Sequence, residues 1–332
     1  MRTLAKLLLT TLSLLTGAAH AAGFEPLRVE LDRGREAIGG VWYPSPSTPS
    51  QVRLGPFSAP LALRGDLASG RLPLIVFSHG TGGTFAGHID TAVALADAGY
   101  VVAAISHPAD NADDTSGFGT PAQLVDRVHD LSRLIDHMTS AWRGAPQVDR
   151  ERIGAFGFSA GGYTVLTAMG GRPDYTRLPT HCRDHALDTV CEPMMKHWDS
   201  MLKVKAPKPD MRIKAAVVAA PGLGFLFDAE SLRKRALDVQ LWQAERDEVL
   251  LRRFHAQAVA DGLGATADVR LVNDAGHYAF LAPCPEHLSK VLPAICTDAP
   301  SFDRQSFHRQ FNGEVIQFFA KRLTTSGAKR PE

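Results

Sequence analysis

The stretch Arg152-Ile153-Gly154-Ala155-Phe156-Gly157-Phe158-Ser159-Ala160-Gly161-Gly162 decides the fold. Ile153 to Phe158 is small and apolar throughout, which predicts a short strand covered on both faces. Tyr163 to Met169 then continues as a helix rich in small residues. Between them, Gly157-Phe158-Ser159-Ala160-Gly161 fits Gly-x-Ser-x-Gly. A strand that turns sharply into a helix at a serine lifts the hydroxyl above the sheet, and the flanking glycines relieve the crowding of that turn. The amide of Ala160 would stand at a helix N-terminus, where N–H groups lack partners and negative charge is favoured. Ser159 is therefore read as a catalytic nucleophile. A glycine-rich structural turn would spell the same letters, so the case rests on context.

Outward from this turn, strands alternate with helices. Leu72 to Ser78 and Tyr100 to Ile105 are continuous apolar runs, separated by a helix over Ile89 to Ala98 that stops at Gly99. Leu124, Val128, Leu131, Ile135, Met138 and Trp142 recur at helical steps. Beyond the serine, strands are expected at Ile213 to Ala220, Val239 to Gln243 and Val269 to Val272. Helices are expected at Phe225 to Ala236, Val249 to Ala260 (capped by Gly262) and Phe311 to Leu323. This rhythm implies a mostly parallel sheet between two helical layers. Leu27 to Leu31 and Ala37 to Tyr43, joined at Asp32-Arg33-Gly34-Arg35, would add an antiparallel edge. Pro44 to Pro60, rich in Pro and Ser, reads as an exposed connection, and Asn111 to Thr120 as a polar loop. Gly170 to Arg212 is irregular and interrupts the pattern just after the serine helix, which puts it over the site.

A serine hydroxyl needs a base within hydrogen-bond reach. His277 follows a strand in the small-residue loop Asn273-Asp274-Ala275-Gly276-His277, so it would emerge at the same sheet edge as Ser159. In the strand–turn–helix arrangement the acid falls between serine and histidine in the chain. Ala244-Glu245-Arg246-Asp247-Glu248 follows a strand there, and Asp247 is the choice, with Glu245 and Glu248 as alternatives. Asp268 and Asp274 fit less well, because they flank the next strand and Asp274 is too near His277. A second oxyanion donor besides Ala160 is assigned to the amide of Thr81 in Ser78-His79-Gly80-Thr81-Gly82-Gly83. That loop could also cradle a phosphate, but it lacks the Gly-Lys-Ser/Thr ending of a nucleotide loop. His79 is read as shaping the loop, His107 as a candidate pocket residue and Asp130, beside Arg127, as structural.

The 332 residues carry a formal charge of +1. Residues 1–21 read as a signal peptide: Arg2 and Lys6, the apolar run Leu7 to Leu15, and Ala19-His20-Ala21 before the cleavage point. Cleavage takes the charge to −1, which gives no electrostatic case for nucleic acid or an anionic membrane. No stable membrane anchor is expected. Residues 22–332 suit one α/β domain in a periplasmic or secreted protein. Four cysteines in an exported chain argue for two disulfides, with three connectivities possible. Pairing Cys182 with Cys191 and Cys284 with Cys296 closes two short loops and is preferred; four buried thiols are the alternative. Their spacing matches no zinc pattern.

Together, Val41-Trp42-Tyr43-Pro44, Phe77-Ser78-His79-Gly80-Thr81-Gly82-Gly83, Ala104-Ile105-Ser106-His107-Pro108, the opening stretch and Gly276-His277 resemble the α/β-hydrolase superfamily. Within it the chain resembles the dienelactone-hydrolase-like and platelet-activating-factor-acetylhydrolase-like esterases. The resemblance implies hydrolysis of short or oxidised acyl esters without metal or cofactor, a small-molecule ester as substrate, and Ser159, Asp247, His277, Thr81 and Ala160 in the roles above. Dienelactone hydrolases proper use a cysteine nucleophile, whereas Ser159 points to a serine esterase. Ala244 stands where the family has a glycine, and the cysteine-bearing excursion matches nothing in the family pattern. A serine peptidase of the prolyl-oligopeptidase type would use the same triad, but such enzymes usually carry a large extra domain. A non-catalytic binding protein on this fold would be expected to have a broken triad.

Overall fold

Apolar runs that alternate with amphipathic ones become ten strands and eleven α-helices among residues 21–234 and 237–324, which the computed structural model describes. The strands are β1 (Ala21–Glu30), β2 (Glu36–Ser45), β3 (Ser50–Leu54), β4 (Phe57–Leu63), β5 (Leu72–Ser78), β6 (Val101–Ile105), β7 (Val148–Phe158), β8 (Ile213–Ala219), β9 (Asp238–Ala244) and β10 (Asp268–Val272). They form one sheet in the order β10-β9-β8-β7-β5-β6-β2-β1-β4-β3. From β10 to β6 every pairing is parallel, and β2 pairs antiparallel with both β6 and β1. The expected signal peptide lies outside the described residues except for Ala21, which opens β1.

The helices are α1 (Ile89–Asp97), α2 (Pro121–Ser140), α3 (Ala160–Ala168), α4 (Leu178–Asp184), α5 (Cys191–Met195), α6 (Trp198–Met201), α7 (Ala229–Lys234), α8 (Ala256–Leu263), α9 (Glu286–Val291), α10 (Pro293–Cys296) and α11 (Arg304–Arg322). Strand alternation divides the core in two. Leu74 and Val76 of β5 face one side with the apolar stripe of α2, while Ile75 and Phe77 face the other with α1 and α11. Two long helices have clear start signals. Thr120 caps α2 by accepting from the Gln123 amide with Pro121 in the first turn, and Asp303 caps α11 by accepting from the Ser306 amide.

Two expectations need correction. Pro44 to Pro60 is not a bare connection: β3 and β4 form a hairpin there, and β4 joins the sheet by parallel pairing with β1. Val52 and Leu54 turn inward beside exposed Gln51 and Arg53, and Leu61 turns inward beside exposed Pro60, and this alternation outweighs the Pro and Ser content. The helix expected over Val249 to Ala260 begins only at Ala256 and runs to Leu263, followed by Gly264 with a φ of 73°. The Asp247 carboxylate accepts from the amides of Val249 and Leu250, which fixes a turn in place of a helical start. No helix among the described residues is long and apolar enough to cross a membrane.

Phe311 of α11 is fully buried, 4.8 Å ring to ring from Trp242 of β9 and 5.8 Å from Phe280. Phe311→Ala is expected to cost about 3–5 kcal/mol of stability, read as a lower midpoint in urea unfolding. A change below about 1 kcal/mol would mean that the site collapses freely.

Candidate active site

β7 ends directly in Ser159, whose φ of 55° and ψ of −119° are rare for a residue with a side chain. The turn is held by backbone bonds. The Ser159 amide donates to the Ala219 carbonyl at 3.0 Å, and the Ser159 carbonyl accepts from Gly222 at 2.9 Å. A Cβ at Gly161 would collide with the Ser78 carbonyl, and one at Gly157 with the Gly161 carbonyl. The two glycines of the motif are thus places where backbone lies against backbone.

His277 and Asp247 meet Ser159 from neighbouring loops. His277 Nδ1 lies 2.8 Å from Asp247 Oδ2, and His277 Nε2 lies 3.1 Å from Ser159 Oγ. A carboxylate only accepts, so Nδ1 carries the proton and Nε2 is free to accept from the serine hydroxyl. The other Asp247 oxygen accepts from the Val249 and Leu250 amides at 3.1 and 2.7 Å, so the carboxylate cannot swing. The alternative acids do other work. Glu248 accepts from the His277 amide at 3.3 Å, Glu245 from the Asp274 amide at 2.9 Å, and Asp268 binds the Gln240 side chain. Asp274 pairs with Arg246. His88 Nδ1 and His308 Nε2 each donate to a carbonyl of the His277 loop, Phe280 at 3.0 Å and Ala279 at 2.8 Å.

The glycine-rich loop packs on the serine turn: a Cβ at Gly80 would lie 3.2 Å from Ser159 Cβ. Thr81 and Ala160 line one cavity with Ser159. Beneath the loop is a buried polar network that the sequence reading missed. Arg127 of α2 pairs with Asp110 at 2.5 Å and also donates to Ser78 Oγ and the His79 carbonyl. Gln123, one turn earlier, donates to Asp110 at 2.6 Å and Thr81 Oγ1 at 3.2 Å. The other Asp110 oxygen accepts from the Gly82 amide. His79 Nδ1 donates to the Gly80 carbonyl at 2.6 Å, while Nε2 accepts from the His107 amide at 3.0 Å. His107 does not line the cavity; it is buried below, with Nε2 3.0 Å from Ser78 Oγ. Asp130 holds Arg35 at 2.7 Å and sits near His107.

Burial drives the imidazoles of His79 and His107 well below their usual range, and the Arg127 charge adds to this. His88 is lowered to about 4, chiefly by burial. Burial alone would raise the Asp110 carboxyl, but the Arg127 charge and the bonds from Gln123 and Gly82 outweigh it and hold it below the ordinary range.

The cavity measures about 100 Å³. Its walls are mainly apolar, with Leu124, Tyr163, Leu223 and Leu250 from the core and Val190 and Met194 from the 170–212 excursion. The Tyr163 hydroxyl is taken by Tyr175 at 2.6 Å. Cys182–Cys191 and Cys284–Cys296 are disulfides, with Cα–Cα distances of 5.4 and 5.6 Å. No group of three or more metal-type ligands occurs among the described residues.

The sheet order, the strained serine turn and the three converging loops define an α/β-hydrolase fold, and comparison with known proteins agrees. A family model described as platelet-activating factor acetylhydrolase, isoform II, matches residues 51–134, from β3 through most of α2. The chain is similar over 97% of its length to the ferulic acid esterase from Streptomyces cinnamoneus, with 96% of that chain covered, 18% identity and a TM-score of 0.57. It is also similar to the acylaminoacyl peptidase of Pyrococcus horikoshii, with 93% of this chain and 43% of that one covered, 13% identity and a TM-score of 0.52. A puromycin-hydrolysing peptidase of Mycobacterium tuberculosis matches with 92% and 40% covered, 12% identity and a TM-score of 0.56. The chain thus spans about two fifths of the length of the two peptidases. A sequence comparison with curated proteins finds no match. The resemblance read from the sequence, to platelet-activating-factor-acetylhydrolase-like esterases on this fold, is met by the family model and the fold neighbours.

The buried histidines predict a pH dependence. Unfolded imidazoles take up protons near pH 6.5, whereas folded His79, His88 and His107 stay neutral to lower pH. The unfolded chain therefore binds more protons, and stability falls as pH drops from 7 to 5, by about 2 kcal/mol at most for each histidine. Urea unfolding at the two pH values should show the loss, and His88→Gln should flatten it. An unchanged slope in that variant would remove His88 from the account.

Proposed function

We propose that the protein is an exported serine hydrolase of carboxylic esters, with residues 22–332 as one hydrolase domain. The observation that carries this reading is the series Asp247, His277, Ser159, linked at 2.8 and 3.1 Å at the mouth of a small apolar cavity. Ser159 Oγ attacks the ester carbonyl carbon as its proton passes to His277 Nε2. The carbonyl oxygen takes the negative charge and points to the amides of Thr81 and Ala160. One such donor is commonly worth about 3 kcal/mol in the transition state. His277 then protonates the departing alkoxide, leaving an acyl group on Ser159. A water gives its proton to His277 and attacks that acyl group, which releases the acid and restores the serine. Asp247 keeps the imidazole in the required tautomer and stabilises its charged form.

The leaving oxygen must reach His277 Nε2, so the alcohol lies on the His277 side. The cavity is lined by Ser159, Thr81 and Ala160, and its apolar walls fit it to the acyl group. Its size favours a short chain. Export is supported by the signal-like residues 1–21 and by the two disulfides, which persist in oxidising compartments.

Ser159→Ala is expected to abolish hydrolysis of p-nitrophenyl acetate and butyrate and labelling by a fluorophosphonate, while the folded protein persists. Asp247→Asn should lower kcat by about 10³- to 10⁴-fold. Turnover in the Ser159 variant close to the parent would end the nucleophile assignment. An amide arm separates esterase from peptidase: faster cleavage of an acyl-peptide amide than of any ester would favour the latter.

A further inference from the structure

The 170–212 excursion contributes the outer wall of the cavity, and its attachment to the core is specific. Cys182–Cys191 closes a ring that contains Asp188, Thr189 and Val190. Thr189 and Val190 face the cavity, as does Met194 one turn further. Asp188 points the other way; its side chain is 1% exposed. Asp188 Oδ2 accepts from two imidazoles, His181 Nε2 at 2.8 Å and His255 Nε2 at 2.9 Å. His181 belongs to the excursion, in α4, where its ring stacks on Phe225. His255 belongs to the core, just before α8, and is fully buried. Its Nδ1 accepts from the Leu223 amide at 2.9 Å, which leaves Nε2 as the N–H that donates to Asp188. The residue before Leu223 is Gly222, whose amide binds the Ser159 carbonyl. A second tie runs from Thr189 Oγ1 to the Val249 carbonyl at 2.8 Å, on the turn that follows Asp247.

An interior carboxylate is costly to bury unless its hydrogen bonds are complete. Nothing in the ester chemistry above uses Asp188, and the cavity wall needs only apolar side chains. What the carboxylate supplies is direction: it fixes the ring relative to the turn that carries Ser159. We propose that Asp188 is a specificity-determining positioning residue, which through His255 holds the Cys182–Cys191 ring as a rigid roof and so limits the acyl chain to short groups. This inference rests on the esterase reading.

The test compares kcat/KM for p-nitrophenyl acetate, butyrate and octanoate in the parent, Asp188→Asn, Asp188→Ala and the Cys182→Ser/Cys191→Ser pair. The octanoate-to-acetate ratio should rise about tenfold or more in Asp188→Ala, and in the same direction in the other two. The inactivation rate with a long-alkyl fluorophosphonate relative to a short one should rise in parallel. If Asp188→Ala does not fold, Asp188→Asn, which keeps one acceptor, and the cysteine pair decide. A folded variant in which all three esters change by the same factor overturns the roof proposal but leaves the esterase reading standing. A parent that neither turns over esters nor reacts with fluorophosphonate at Ser159 overturns both.

Discussion

Ser159 is held in a backbone conformation that a serine does not choose, and the molecule is built around holding it. Such a conformation costs on the order of 1–3 kcal/mol. The bonds from Ser159 to Ala219 and from Gly222 to Ser159 fasten the turn to the end of β8. The contact of Gly161 with the Ser78 carbonyl presses the turn on the end of β5. Three adjacent strands, β5, β7 and β8, thus over-determine one residue. The hydroxyl position is a property of the sheet rather than of the loop alone.

The same contact explains the polar network below. Pressing Ser78 and His79 against Gly161 buries polar groups that need partners, and Arg127 answers by donating to the His79 carbonyl and the Ser78 hydroxyl. Arg127 in turn needs Asp110, and Asp110 reaches Gly82 on the far side of Thr81. His79 closes the circuit only when neutral, since one nitrogen donates to Gly80 and the other accepts from His107. A second proton would remove the acceptor. The shape of the loop is therefore tied to a protonation state.

Much of this was legible in the sequence, and the limits have physical reasons. Continuous apolar runs disclosed the central strands, and recurrence at helical steps disclosed α2, because burial on a sheet or helix face acts on every residue in the run. The order of Ser159, Asp247 and His277 could be read because a strand-end loop has few residues to choose from. The Asp110, Gln123 and Arg127 network could not. On a helix, Gln123 and Arg127 flank the apolar stripe and look like its solvated border; only the loop that folds over them makes them interior. The β3–β4 hairpin was hidden by its Pro and Ser content, although Val52, Leu54 and Leu61 carried the alternation. Asp188 and His255 gave no signal, because their pairing depends on an excursion that follows neither period.

The apolar walls beside Ser159 bear on the order of events in the proposed reaction. In that reaction the alcohol half of the ester faces His277 Nε2 and the acyl half faces the apolar walls. The alcohol stands on the imidazole side and can leave once it is protonated, while the acyl group remains enclosed and tethered. Departure is then sequential by construction. Esters that share an acyl group pass through one common intermediate, and where its hydrolysis is the slow step their kcat values converge whatever the alcohol. On the proposed reaction the alcohol is selected in the first half of the cycle, and where hydrolysis of the acyl group is slow the acid sets the pace of turnover.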